Sequence, residues 1–175
     1  MGKFLTLLIL VCSVIGGGAM YYLQVYAYYD EIAASGPADV QATSLATGKP
    51  EPLPHRDFQA IDSDSSPIRY RACFATDLTQ DALTATYQTY QGAVPLLAPE
   101  WFDCFDAREL GAALEAGEAR AYMGTENIRY GIDRIIAVMS DGRGFVWHQI
   151  NRCGEVVFDG QPAPADCPPP PPEAN

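Results

Sequence analysis

The residues best able to form covalent cross-links in this 175-residue sequence are its five cysteines. Cys12 lies in an apolar N-terminal stretch, which leaves Cys73, Cys104, Cys153 and Cys167 for the rest of the chain. An even number of cysteines in a small domain is typical of disulfides formed in an oxidising compartment. Four cysteines allow three pairings. Because Cys153 and Cys167 enclose a turn-rich stretch whose end has no other tether, we expect them to pair, which leaves Cys73 with Cys104.

The spacing of the four cysteines disfavours two other uses. No two of them lie roughly two to four residues apart, as zinc-binding cysteines usually do. The chain also lacks the C-x-x-C pair of redox-active sites. We therefore expect no metal and no cofactor, and each disulfide should stabilise the domain by about 2 to 4 kcal/mol.

His148 is the main candidate for acid–base chemistry. The apolar neighbours of His148 in the strand-like stretch FVWHQIN favour a buried hydrogen-bonding side chain over a catalytic base. Motifs of serine hydrolases, zinc proteases and nucleotide-binding enzymes are not found in the sequence. We therefore expect a protein that is not an enzyme. The alternative is a small enzyme or ligand-binding domain whose site contains His148, Asp133 and Arg134 on facing strands of a hairpin.

The first segment has the length and composition of a membrane anchor. Residues 4–23 carry no charge, and about 20 helical residues span about 30 Å, the thickness of the hydrocarbon core of a bilayer. Tyrosines and then two acidic residues follow, and Lys3 precedes. We expect residues 1–29 to form a signal-anchor helix that contacts lipid through residues 4–29, with the N-terminus in the cytoplasm of a bacterium. The C-terminal domain would then lie in the periplasm.

Small residues within this segment leave two further questions open. Gly17 and Ala19 stand at the two positions that a signal peptidase reads, so a cleaved signal peptide and a secreted domain are an alternative to the anchor. The run Gly16, Gly17, Gly18 and Ala19 would also let a second membrane helix approach closely. The alternative is an anchor without a partner helix, in which these glycines are only a flexible stretch that the helix tolerates.

The remaining chain divides by composition into three parts. Residues 30–67 are rich in alanine, serine, proline and acidic residues, which predicts an extended linker. Residues 68–162 alternate strand and helix patterns, and residues 163–175 form a proline-rich tail. The linker and the tail should add nothing to the core of the domain.

The pattern of residues 68–162 predicts an α+β domain. IRYRACF alternates as a half-buried strand, and Thr79 and Asp106 are suitable N-caps for helices over 79–90 and 106–116. Strand-like runs follow, including EVVF at the end, and the pair Asp141-Gly142 predicts a tight hairpin turn. We expect two helices on one face of an antiparallel sheet of four or five strands.

The charge of the chain limits its partners. The formal net charge is −11, and no part of the chain is basic. Binding to phosphate groups needs clustered lysine and arginine, so we expect no nucleic-acid partner. Envelope or membrane proteins are the partners that the anchor favours.

Five stretches support a family resemblance: SSPIRYRACF, WFDCFDA, YGIDRIIAV, DGRGFVWHQIN and CGE. With them, residues 61–168 and the N-terminal segment resemble an uncharacterised family of short membrane-anchored envelope proteins from alphaproteobacteria of the Rhodobacter type. The resemblance implies an envelope location and carries no known activity. Together with the anchor, it favours a non-catalytic, disulfide-bonded module that assembles with an envelope or inner-membrane complex.

Overall fold

A computed structural model describes residues 2–171 of the chain, which divides into two compact units after Asp30. The first unit contains one helix, α1 (Gly2–Val25), of 24 residues. At 1.5 Å per residue this helix is about 36 Å long. Its length and apolar composition suffice to cross a membrane, and a signal sequence would meet the same criterion. The predicted N-terminal apolar helix is therefore confirmed.

The second unit combines strands from two sheets with three short helices. In chain order the described elements are β1 (Asp30–Ile32), β2 (Gln41–Thr43), β3 (Pro50–Pro52), β4 (Arg56–Asp62), β5 (Arg71–Ala75), α2 (Gln80–Thr86), α3 (Ala107–Ala116), β6 (Ala119–Arg129), β7 (Ile132–Met139), β8 (Arg143–Ile150) and α4 (Arg152–Phe158). The main sheet has the strand order β1-β4-β5-β8-β7-β6, and β2 pairs with β3 in a small second sheet.

The main sheet is antiparallel from β4 to β6, as predicted, but it is larger than predicted. It has six strands, and the expected four or five was wrong because β1 and β4 come from the segment that was predicted to be a linker. β4 pairs with β5, with an irregularity between Arg56 and Gln59, and Val40, Ala42 and Leu53 are buried in the core. These apolar residues are too widely spaced to form a periodic pattern, so only long-range contacts reveal them as core.

Both faces of the sheet are covered, which corrects the prediction of two helices on one face. One face packs Ala72, Phe74 and Val146 against Leu83 of α2 and against residues of the small sheet. Successive side chains of a strand point to opposite faces, so Phe145 and Trp147 lie on the other face. There Phe105 contacts both rings, at centroid distances of 5.7 and 6.5 Å.

The two helix N-caps predicted from the sequence are confirmed. Thr79 caps α2, and Asp106 caps α3 by accepting from the backbone N–H groups of Arg108 and Glu109. Gly117 ends α3 in the left-handed region, with φ of 75°. The Asp141-Gly142 turn joins β7 to β8 as predicted.

The end of the domain differs from its prediction. EVVF, predicted as a strand, lies in α4, because the side chain of Asn151 accepts from the backbone N–H groups of Cys153 and Gly154 and so starts a helix. The predicted proline-rich tail, residues 163–175, is described as far as residue 171, and residues 172–175 lie outside the described range.

Candidate functional site

Two disulfides join the four domain cysteines, Cys73 to Cys104 and Cys153 to Cys167, in the pairing that the sequence predicts. The first ties β5 to the loop before α3, and the second ties the first turn of α4 to the tail. They close segments with sequence separations of 31 and 14 residues. Loop-closure entropy for such lengths corresponds to about 3 to 4 kcal/mol per bond. The bonds indicate an oxidising compartment.

The predicted cluster around His148 is only partly assembled. Arg134 and His148 face each other on β7 and β8, and the guanidinium Nε–H of Arg134 donates to Nε2 of His148 over 3.0 Å. The imidazole Nδ1–H donates to the carbonyl of Pro67 over 2.7 Å. The ring of Tyr70 stacks on the imidazole at 4.9 Å, and the guanidinium carbon of Arg134 lies 4.2 Å from the Tyr70 ring centroid.

These contacts hold His148 as a neutral, structural side chain. Burial lowers its pKa to about 4, and the positive charge of Arg134 acts in the same direction. Burial also lowers the pKa of Arg134. Because each imidazole nitrogen is already bound to a protein group, neither is directed at a cavity where a substrate would sit.

Asp133 lies on the opposite face of β7 from Arg134, away from His148. Its carboxylate accepts from the backbone N–H of Asn127 at 2.9 Å and from the side-chain amide of Asn151 at 2.8 Å. The hydroxyl of Tyr90 donates to its second oxygen at 3.4 Å. Burial and the Asp133 charge raise the pKa of Tyr90 to about 12. This network holds the β6–β7 turn against the start of α4.

A buried arginine organises a loop that the sequence did not single out. Arg71 on β5 is only 3% exposed, and its Nε–H and Nη2–H groups donate to the carbonyls of Leu96 and Leu97 at 2.8 and 3.0 Å. Its Nη1 donates to the carbonyls of Ile68 and Tyr70. The guanidinium therefore fixes the backbone of two segments at once.

The segment of residues 92–99, here named the 92–99 loop, is held at its other end by Gln149. The Gln149 side chain accepts from the backbone N–H of Val94 at 2.8 Å and donates to the carbonyl of Gly92 at 3.0 Å. Although its backbone is fixed, the loop exposes 59% of Val94 and 69% of Leu97. A fixed backbone that exposes large apolar side chains could bind a partner with little loss of conformational entropy.

An apolar groove of about 550 Å³ lies beside the 92–99 loop. Its walls come from the loop, from α3 and from the edge strand β6, and they include Val94, Pro95, Leu114, Ala119 and Ala121. Val94 and Pro95 of the loop line this groove, where a partner segment would gain apolar burial, whereas Leu97 lines a separate cleft with Phe102 and Phe105.

A second cleft, of about 630 Å³, surrounds His55. Pro37, Pro54 and Phe58 line it, and Asp57 there has a φ of 54° at an irregularity in the β4–β5 pairing. Sequence reasoning missed this cleft because it assigned the segment to the linker. Within residues 2–171, no group of three or more His, Cys, Asp or Glu side chains is placed to hold a metal ion.

The geometry defines the class of the protein: an apolar N-terminal helix followed by a small, disulfide-bonded α+β domain. Residues 40–168 match the model of DUF6446, a family of unknown function, and the chain belongs to that family. Searches of curated proteins and of solved structures give no match. The matched range begins within the predicted linker, consistent with the strands found there.

Proposed function

We propose that this protein is a non-catalytic interaction module, tethered to the bacterial inner membrane by α1, with its disulfide-bonded domain in the periplasm. The observation that carries the proposal is the 92–99 loop. Its backbone is fixed by Arg71 and Gln149, yet Val94 and Leu97 are exposed. A rigid surface of this kind loses little conformational entropy when a partner binds.

The chemistry of the partner follows from the surface. The 92–99 loop and its groove are apolar, and the charged residues in the groove wall are Glu115 and Arg120. Within residues 1–30 the formal charges of Lys3 and Asp30 cancel, so the net charge of −11 belongs to the remainder of the chain. We therefore expect an apolar segment with flanking basic residues, supplied by a membrane or envelope protein of the same complex.

Two features support the location. The disulfides favour an oxidising compartment, and α1 is suited to remain as an anchor with Lys3 on the cytoplasmic side. Gly16, Gly17, Gly18 and Ala19 lie on α1, where a Cβ at any of the three glycines would meet no atom within 4 Å. We propose this stretch as a contact for a partner helix. We also propose that the protein comes from alphaproteobacteria of the Rhodobacter type.

The rival proposal, an enzyme or binding site at His148, has weaker support. The ring nitrogens of His148 bind Arg134 and Pro67, and Asp133 faces the other side of the sheet. The low pKa of His148 accompanies this packing. A secreted domain released by cleavage after Ala19 remains the alternative for location, and the apparent mass of the membrane-extracted protein distinguishes the two.

The test is mild-detergent purification of the tagged full chain from its own cells, with quantitation of co-purifying proteins. We expect a partner at a fixed ratio to the wild-type chain, and loss of that partner when Val94→Asp and Leu97→Asp are combined. Leu45→Asp is the matched control, because Leu45 is 58% exposed but lies in the turn after β2.

Three results would contradict the proposal. Recovery of the wild-type chain alone would exclude a stable complex. An unchanged amount of co-purifying partner in the double variant would exclude the 92–99 loop as the binding surface. Equal loss in the Leu45→Asp variant would show that the effect is not specific to the loop. Circular dichroism of each variant checks that it has folded.

A further inference from the structure

The end of the described chain is a run of exposed prolines, residues 168–171, which Pro172 continues in the sequence. The proline ring holds φ near −65°, and each proline also restricts the residue before it to extended conformations. Consecutive prolines therefore adopt a polyproline II helix, with about 3.1 Å of rise per residue and no hydrogen bonds among its own backbone groups.

The base of this proline run is fastened to the domain by three contacts. The disulfide between Cys153 and Cys167 ends at the residue before the run. The hydroxyl of Tyr130 donates to the carbonyl of Pro168 at 3.0 Å, and Arg152 forms an ion pair with Asp166. Chain ends are often poorly ordered, but here the first residues of the proline run are attached to α4 and to the β6–β7 turn.

We propose that the proline run is a binding segment for an aromatic-lined groove in a partner protein. Polyproline II segments dock between tryptophan and tyrosine rings, and their rigidity means that little entropy is lost on binding. Asp166 before the run is already paired with Arg152, but Glu173 follows the run in the sequence, and the chain carries a formal net charge of −11. The groove should therefore carry lysine or arginine at its rim.

This contact goes beyond the proposed function because its chemistry and position are different. The 92–99 loop offers aliphatic side chains, whereas the proline run offers a ridged rod with carbonyl acceptors. The Cys153–Cys167 bond and the Tyr130 hydroxyl hold the first proline of the run at a fixed place on the domain. Each contact can therefore fail in a test without affecting the other.

Site-specific photo-crosslinking in living cells tests the proposal on the full, membrane-anchored chain. A benzophenone amino acid replaces Ala174, two residues after Pro172 in the sequence, and a second strain carries it at the exposed Asp159 as a position control. The combined changes Pro169→Ala and Pro171→Ala make the backbone of the proline run more flexible. Pro162→Ala combined with Pro164→Ala is the matched control, with the same change inside the Cys153–Cys167 loop.

We expect one protein adduct from position 174 whose cross-linked peptide contains tryptophan or tyrosine. Each Pro→Ala change adds freedom to the unbound run, so the Pro169→Ala, Pro171→Ala pair should weaken the adduct about fivefold to thirtyfold. The matched control should leave it unchanged. The proposal is overturned by equal adducts in both pairs, by the same adduct from position 159, by a peptide without aromatic residues, or by cross-linking only to lipid or cell-wall glycan.

Discussion

Replacement of Arg71 by lysine is the sharpest test of how the 92–99 loop is held. The buried guanidinium donates to four backbone carbonyls, those of Ile68, Tyr70, Leu96 and Leu97. Lysine keeps the positive charge but has a single nitrogen, which cannot occupy the three positions from which the guanidinium nitrogens donate. Arg71→Lys should therefore leave about half of these carbonyls without a donor.

The expected loss of stability follows from the number of hydrogen bonds. A hydrogen bond to a charged group contributes about 1.5 to 3 kcal/mol, so the loss of two lowers the free energy of unfolding by about 3 kcal/mol or more. Water does not reduce this loss of stability, because only 3% of the surface of Arg71 is exposed. The loss should appear locally first, as faster exchange of the backbone amides in residues 92–99.

Two measurements check this prediction on the detergent-solubilised full chain. Urea unfolding followed by tryptophan fluorescence reports on Trp101 and Trp147. Trp147 is fully buried and pairs with Arg71 across β5 and β8. Hydrogen–deuterium exchange reports on the loop. Arg108→Lys, an exposed change on α3, serves as the control and should alter neither. An Arg71→Lys protein within about 0.5 kcal/mol of the wild type, with unchanged loop exchange, would refute the reasoning.

Three further predictions concern the single residues His148, Gly144 and Gly111. The pKa of His148 is about 4 in the folded protein against 6.5 when unfolded, so the unfolded state binds more protons between these values and stability falls as pH drops through this window. The free energy of unfolding should fall by about 3 kcal/mol from pH 7 to pH 4. In a series of urea-unfolding experiments across this range, a His148→Gln variant with the same pH dependence as the wild type would contradict the prediction. Gly144→Ala would place a Cβ 2.2 Å from the Phe74 ring and should cost about 1 to 3 kcal/mol. Gly111→Ala in α3 meets nothing within 4 Å and should stabilise by about 0.5 to 1 kcal/mol, so thermal melts must shift in opposite directions.

Features set by neighbouring residues were predictable from the sequence. Thr79 and Asp106 cap the predicted helices, and the Asp141-Gly142 turn joins the predicted strands. Each signal depends on side-chain and backbone groups only a few residues apart. Two local predictions were wrong. EVVF was predicted as a strand because Asn151 was overlooked as an N-cap, and the helix predicted over 79–90 ends at Thr86, with Tyr87 in an extended conformation.

The candidate site depended on contacts between distant segments. Arg71 was predicted on the solvent side of a half-buried strand, because alternation normally places charged residues there. The structure buries that face under the loop before α3, where the carbonyls of Leu96 and Leu97 accept from the guanidinium. A separation of 25 residues leaves no periodic signal of such a partnership.

The apolar first helix, the helix caps, the hairpin turn and the even set of domain cysteines could be predicted from the amino-acid sequence, because each follows from local composition or simple counting. Contacts between distant segments were needed to show that residues 30–67 supply strands, that both faces of the sheet are covered, and that Arg71 holds an exposed apolar loop. The burial of a side chain depends on two surfaces, the face on which it lies and the segment that packs against that face. A strand pattern shows which side chains share a face, but only the segment that packs there decides whether that face meets water or protein.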